Sequence, residues 1–313
     1  MNPNVGVKKK SMENFESNMS VTGFSRLFRW FNMPTIMRAL RQTPLISSAI
    51  LLVFLLCGIF GASLAPHDPV KISLMDTLTP PFWQEGGSTK FLLGTDHTGR
   101  DILSRLIAGA RIALVVGFTV IVLSGILGTV VALLSGYLGG WVDTVLMRIA
   151  DFFLSMPFLV IAIVLAAVLG PKTANIIIIL IVLGWAAYAR VLRGEVLRIK
   201  EGDFIRLAIV AGAGNIRIMF QHILPNLINT LVVLSTLRLG TVIIAESSLS
   251  FLGLGVPPPA PAWGSMAADG RVHIFDSWWI CAWPGIAILL VVLSCNLLGD
   301  WLRVRLDPKY RQI

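Results

Sequence analysis

Charge is scarce in this sequence. Only 14% of its 313 residues are Asp, Glu, Lys or Arg, against roughly 25% in an ordinary soluble domain. Most of its apolar side chains therefore cannot face water, and a wholly soluble globular fold is excluded. Cysteine is also sparse. Cys57, Cys281 and Cys295 all lie in apolar runs. Their odd number and spacing fit neither a disulfide framework nor a zinc site, so they are read as packing residues. His67, His97, His222 and His273 are scattered, with no H-E-x-x-H pair, and no metal site is expected. The phosphate-cradling loop G-x-x-x-x-G-K-[ST] does not occur. Gly212-Ala213-Gly214 begins a G-x-G, but Arg217 stands three residues beyond Gly214 and no strand precedes it. Any ATP hydrolysis must then take place on another chain. The N-terminal lysines Lys8, Lys9 and Lys10 are followed by no apolar h-region, so no secretory signal is read there.

Hydrophobic residues make up 55% of the chain, and they fall in long runs. A membrane-spanning helix needs roughly 20 mostly apolar residues. Six segments qualify, at about 45–65, 112–136, 152–170, 174–190, 225–248 and 278–299. The composition predicts an all-α membrane protein. It has a tail over 1–42, a transmembrane domain over 43–302 and a second tail over 303–313. Gly170-Pro171-Lys172 sets a tight turn between the third and fourth spans. With the N-terminus inside, the inner segments carry 18 of the 26 Lys and Arg residues and the outer ones seven. This bias predicts both termini in the cytoplasm. It accounts for the net charge of +9 without nucleic acid as a partner.

Within the first tail, Val21, Phe24, Leu27, Phe28 and Phe31 recur at helical spacing beside Arg26, Arg29 and Arg38. That pattern predicts a helix in the membrane interface, or one packed on a partner; residues 1–20 are expected to be disordered. The first outer loop, about 67–98, contains Pro80-Pro81 and Gly86-Gly87 and should be irregular. Thr98-Gly99-Arg100-Asp101 resembles a capping box with Thr98 at the N-cap. A surface helix should follow, with Asp101 and Arg105 paired at i,i+4. The second outer loop, 253–277, opens on Pro257-Pro258-Pro259, which should keep it from being helical.

One enzyme reading arises from Ser265 and His273, whose order in this loop is compatible with a protease dyad. A serine bonded to backbone is the ordinary alternative and is preferred. The inner loop after span four is more informative. It runs from Asp203 through Arg206, Leu207, Ala208, Gly212, Ala213, Gly214 and Asn215 to Pro225. It is long enough for two short helices, with a break at Gly212 and Gly214 where left-handed backbone is allowed. Such an element can project from the membrane for a partner to grip, or re-enter the bilayer as an amphipathic segment with no partner.

This loop resembles the E-A-A loop of ABC-importer permeases. There a glycine is followed thirteen residues later by a proline, as Gly212 is by Pro225. Arg206 stands at the position of the family's glutamate and Leu207 at that of its first alanine; Ala208 keeps the pattern. Other stretches are similar to the C-type permease of dipeptide and oligopeptide importers. They are Leu93-Gly94-Thr95-Asp96-His97-Thr98-Gly99-Arg100-Asp101, Met147-Arg148-Ile149-Ala150-Asp151, Leu249-Ser250-Phe251-Leu252-Gly253-Leu254-Gly255, Trp263-Gly264, and Asn296-Leu297-Leu298-Gly299-Asp300 with Leu306-Asp307-Pro308-Lys309. The resemblance spans about Leu45 to Lys309. It implies six transmembrane helices and a cytoplasmic coupling helix. The implied partners are a second, B-type permease, two ABC ATPases, an extracytoplasmic solute-binding protein and membrane lipid. No cofactor is expected on this chain; the ATPases would hold ATP and magnesium. Asp96, Arg100, Asp101 and Trp263 become candidate contacts at the outer mouth. The solute stays open among dipeptides, oligopeptides, glutathione-like peptides, nickel chelates and sugars.

Three polar residues in or beside the spans, Arg238, Glu246 and Asp151, are candidates for a pathway or gating role. Arg238 lies roughly 20 Å along the fifth span from Pro225 at 1.5 Å per residue. A charge there should face protein or water, either lining a pathway or pairing with a neighbouring acid. Glu246 is placed near the outer end, within reach of water. Asp151 begins the third span, three residues after Arg148, its expected partner, and Pro157 should bend that span. A self-sufficient secondary transporter is the alternative. It would be expected to show repeats and several intramembrane acids, which are not seen in the sequence.

Overall fold

Apolar runs in this chain fold as helices because backbone groups in hydrocarbon have no water to bond and must be satisfied within the segment. A computed structural model describes residues 44–306. The expected interfacial helix near Phe24 and the tail beyond 306 lie outside the described residues. The elements are α1 (Leu45–Leu64), α2 (Ile102–Leu138), α3 (Gly140–Ser155), α4 (Phe158–Leu169), α5 (Thr173–Lys200), α6 (Asp203–Val210), α7 (Asn215–Phe251), α8 (Trp263–Arg271) and α9 (Trp279–Leu306). α2, α5, α7 and α9 are each long and apolar enough to cross a membrane, and α3 with α4 makes a fifth only if the bent pair is taken together as one span. The apolar part of α1 runs from Leu45 to Gly61.

Several expectations are corrected here. The outer helix and span two are one unbroken helix of 37 residues, about 55 Å long at 1.5 Å per residue. Its N-cap is Asp101, whose carboxylate accepts from the Ser104 amide, rather than Thr98. Span three is broken. Pro157 has no N–H to donate and forces Met156 into an extended conformation. α3 and α4 consequently meet at 87°, and the segment between spans two and three is helix α3 rather than loop. The second outer loop contains helix α8, which starts only after its prolines have passed. The inner loop's second helix is not separate: it continues into span five as α7. Six residues of π-helix, Ile218–Ile223, lead into that span. The wider turn lets the Leu224 amide reach the Met219 carbonyl just ahead of Pro225. α9 runs on to Leu306, so helix reaches into the segment taken as the C-terminal tail.

α2 packs most extensively on α5, α7 on α9, and α8 on α9. The α2–α5 approach depends on Gly128. A Cβ there would sit 2.4 Å from the Tyr188 Cβ and 2.8 Å from the Trp185 carbonyl. Two apolar clusters fill the middle and the α8 end of the bundle. One is built around Val116, Ile179, Leu180 and Leu249, the other around Phe54, Ile243, Trp263 and Trp279. α3 is tied to α5 by two ion pairs. Arg193 makes two bonds of 2.5 Å to Asp143, and Arg190 pairs with Asp151. Asp151 therefore bonds across helices instead of with Arg148.

Candidate functional site

Three places carry the residues singled out in the sequence. They occur at one end of the bundle, in its middle and at the other end. α7 separates the two ends, since its 37 residues span about 55 Å.

At the first end, α6 is held by a single fully buried side chain. Ile205 is 0% exposed and packs with Leu133, Val196, Ile218, Met219 and Ile223. The remaining apolar side chains face outward: Leu207 is 69% exposed and Val210 87%, with Phe204, Ile209, Ile216 and Phe220 also open. The helix ends at Gly212, whose φ is +81°. The Gly212 amide bonds the Ile209 carbonyl at 2.9 Å, and the Ala213 amide bonds that of Ala208 at 3.0 Å. These two bonds close a glycine-capped helix end that a side chain at Gly212 would strain. Beyond Gly214, Asn215 accepts from the Tyr137 hydroxyl at 3.1 Å. Lys200 bonds the Tyr137 carbonyl at 2.6 Å. The ends of α2, α5 and α7 are thereby knotted under α6. Asp203 and Arg206 lie 3.6 Å apart, both largely exposed, a pair that holds little. The arrangement presents an apolar surface above a buried apolar base. Pro225 is not part of that surface; it lies inside α7.

In the middle, a cavity of about 280 Å³ lies among α2, α5, α7 and the Met156–Pro157 break. Arg238 and Thr241 of α7 line it, with Ser124 of α2 and Tyr188 of α5. Neither the Ser124 hydroxyl nor that of Tyr188 has a hydrogen-bond partner. Asp151 is not among the lining residues; its carboxylate belongs to the α3–α5 contact. Tyr188, Ser124 and Thr241 carried no signal in the sequence. Hydroxyl residues are common in apolar helices, and only tertiary contact brings these three beside Arg238.

At the far end, the first outer loop is built around Asp96, which is 2% exposed. Its carboxylate accepts from the Thr98 amide at 2.8 Å, the Thr98 hydroxyl at 2.7 Å, the Arg100 amide at 3.0 Å and the Arg100 Nε at 2.7 Å. Arg105 stands 3.6 Å away, so its acid is Asp96 rather than Asp101. Burial works to raise the Asp96 carboxyl, but these donors and the two guanidinium charges outweigh it and hold the group below its ordinary value. Asp101 is occupied by Ser104 and by His67, at 3.1 Å. Trp263 is buried, its indole N–H donating to the Leu106 carbonyl at 2.9 Å. Trp279 donates likewise to the Thr95 carbonyl at 3.1 Å. Asp96, Asp101 and Trp263 thus build the cap on this end, and of their side-chain polar atoms only the Asp101 Oδ1 is left without a partner. Arg100 reaches across to Asp269 of α8 at 3.8 Å. Glu246 does not reach water: it is 2% exposed and accepts from Ser250 at 2.7 Å and Ser247 at 3.3 Å. Ser265 donates to the Ala262 carbonyl at 2.9 Å, and His273 stacks with His97 at 6.0 Å between ring centres.

Comparison with known proteins follows the same lines. Residues 124–312 match the family described as binding-protein-dependent transport system inner membrane component. The di/tripeptide transport system permease protein DppC of Pseudomonas aeruginosa (strain UCBPP-PA14) is 42% identical over 261 residues, covering 83% of this chain and 86% of that one. The dipeptide transport system permease protein DppC of Haemophilus influenzae is 40% identical, over 86% of this chain and 91% of the relative. The protein of that name in Escherichia coli (strain K12) is 42% identical, over 83% of this chain and 87% of the relative.

Proposed function

Because this chain belongs to the family of binding-protein-dependent transport system inner membrane components, we propose that it is a channel-forming permease that admits peptides of the dipeptide and oligopeptide class. The solute reading rests on relatives whose names specify dipeptides or di/tripeptides. The partners are a second, homologous permease, two ABC ATPases and an extracytoplasmic binding protein. The ATPases hold ATP and magnesium, and this chain performs no catalysis. Both termini lie in the cytoplasm, as the distribution of Lys and Arg favours.

The observation that carries the mechanism is the surface of α6. Leu207 and Val210 stand out from α6 as an apolar surface of the kind a partner's groove covers, above a buried seat at Ile205. α6 is the coupling helix, seated in a groove of one ATPase. When the ATPases close on ATP, α6 transmits their movement through Ile205, Ile218 and Ile223 into the ends of α2, α5 and α7. The α3–α4 break and the central cavity then lie where the pathway opens. Arg238 lines that pathway, while Asp151 ties α3 to α5 and Glu246 is satisfied by the serines of its own helix. At the outer end, the cap framed by Asp96, Arg100, Asp101 and Trp263 receives the binding protein. The test is to purify the tagged chain from its own cells, identify what accompanies it, and measure ATP-dependent uptake of a labelled dipeptide by the reconstituted assembly. Two ATPase chains, a second permease and dipeptide uptake are expected. A chain that purifies alone and conducts solute without ATP would overturn the reading.

A further inference from the structure

The lining of the central cavity holds one charged residue, Arg238, and three hydroxyl residues, Ser124, Tyr188 and Thr241, the last one helical turn beyond Arg238. The rest is apolar, with Met156 and Phe158 at the helix break among it. Ser124 and Tyr188 are each 1% exposed, and their hydroxyls have no partner, which buried polar groups rarely go without. Tyr188 has Ser235 and Arg238 as neighbours, yet bonds neither in ordinary geometry. Among the described residues no carboxylate forms an ion pair with Arg238, although the guanidinium lies mid-helix, where a charge needs compensation.

A planar guanidinium with two adjacent hydroxyl donors matches one ligand chemistry best, a carboxylate held by forked hydrogen bonds. The same lining includes a thioether, Met156, and aromatic rings, Phe153 and Phe158, surfaces that accept side chains of varied shape. A cavity of about 280 Å³ is at the small end for ligand sites, which start at roughly 300 Å³. It can take one terminal residue rather than a whole oligopeptide. We propose that this cavity is a carboxylate subsite, in which Arg238, Ser124 and Tyr188 receive the C-terminal carboxylate of a peptide as it crosses. The proposal rests on the peptide-import reading for its ligand and names the part of the solute this chain handles.

Thr241 lines the same cavity and supplies a reporter. Thr241→Cys in the full transporter, reconstituted in lipid vesicles, is treated with anionic sulfonatoethyl and cationic trimethylammonioethyl methanethiosulfonate. Labelling of the three native cysteines is subtracted using the same assembly without the substitution. The anionic reagent is expected to react about ten times faster. Arg238→Gln should abolish that preference, and Arg238→Lys should retain it, which guards against a misfolded variant. A free dipeptide should slow the anionic reaction, and its C-terminal amide at the same concentration should not. Equal rates for the two reagents, or a preference that survives Arg238→Gln, would show that Arg238 does not govern the cavity. Equal protection by acid and amide, or protection by neither, would show that the site does not read a carboxylate. ATP-driven uptake of the same dipeptide is measured in parallel. If uptake is absent, the import reading fails by itself. Protection by succinate but not succinamide then decides whether the carboxylate site stands without it.

Discussion

Leu207 and Val210 provide the sharpest quantitative test of α6 as the coupling helix. They are 69% and 87% exposed, and burying an apolar side chain of this size fully is worth about 1.5–3 kcal/mol. Because much of each is open, most of that gain is available to a partner. Replacement by alanine keeps Cβ and removes the rest, so each substitution should weaken ATPase binding by about 1.5–2 kcal/mol. At 1.4 kcal/mol per tenfold, that is about ten- to thirtyfold for either change. Their additivity is not assumed, since the two positions share one surface. The fold should not suffer, because neither side chain belongs to the cluster that anchors the helix. The assay is titration of purified ATPase onto the permease pair held in nanodiscs, with thermal unfolding followed on the same samples. Leu207→Ala and Val210→Ala should lower affinity and leave the unfolding temperature in place. Ile205→Ala should do both kinds of damage, because it empties the buried seat beneath α6. Wild-type affinity in both exposed-site variants would refute the reasoning and remove α6 from the interface.

Orientation can be read from chemistry in intact cells: Lys90→Cys should react with an impermeant thiol reagent and Val210→Cys should not, and the reverse pattern would invert the topology. Gly128→Ala should destabilise the α2–α5 contact by about 1–3 kcal/mol through overpacking, since its Cβ would meet the Tyr188 Cβ at 2.4 Å. Gly194→Ala, within helix α5 and with nothing within 4 Å of the new atom, should stabilise by about 0.5–1 kcal/mol in the same thermal unfolding measurement. Asp96 is held below its ordinary value, so its stabilising bonds are fully present above pH 3.8, the unperturbed value, and are lost as the pH falls through the lowered one. Amide exchange over residues 94–101 should therefore stay slow at pH 5 and accelerate only below about pH 4, and Asp96→Asn should remove this dependence.

Local rules served well where one residue type decides the backbone. Gly212 predicts a break, and it adopts φ +81° because the helix end needs a left-handed residue. Pro157 predicts a bend, and the structure has a full break of 87°. A missing N–H and an extended Met156 set only that the helix is interrupted; how far the second half swings depends on what it packs against. Pairings of charge went further astray. Asp151 was matched with Arg148 and Arg105 with Asp101 by their spacing along one helix. The structure joins Asp151 to Arg190 on a neighbouring helix and Arg105 to Asp96 in the loop that folds back over the start of α2, because tertiary contact brings these partners closer than the ones spaced along one helix. Glu246 looked near enough to the membrane edge to meet water, yet α8 covers that end and its serines satisfy it.

By itself the sequence determined that this is a helical membrane protein, since scarce charge and long apolar runs leave the backbone no other way to bond within lipid. It determined the family through motifs distributed from Gly94 to Gly299, and it marked the loop around Gly212 as the element of interest. Only the tertiary structure decided which face of α6 is open and that Ile205 alone seats it. It also decided that the outer-mouth residues Asp96, Asp101 and Trp263 are turned inward, and that Ser124, Tyr188 and Thr241 surround Arg238. The reason is physical: backbone preference and hydrophobic period act within a few residues, whereas burial and polar partnership are properties of helices that meet from distant parts of the chain.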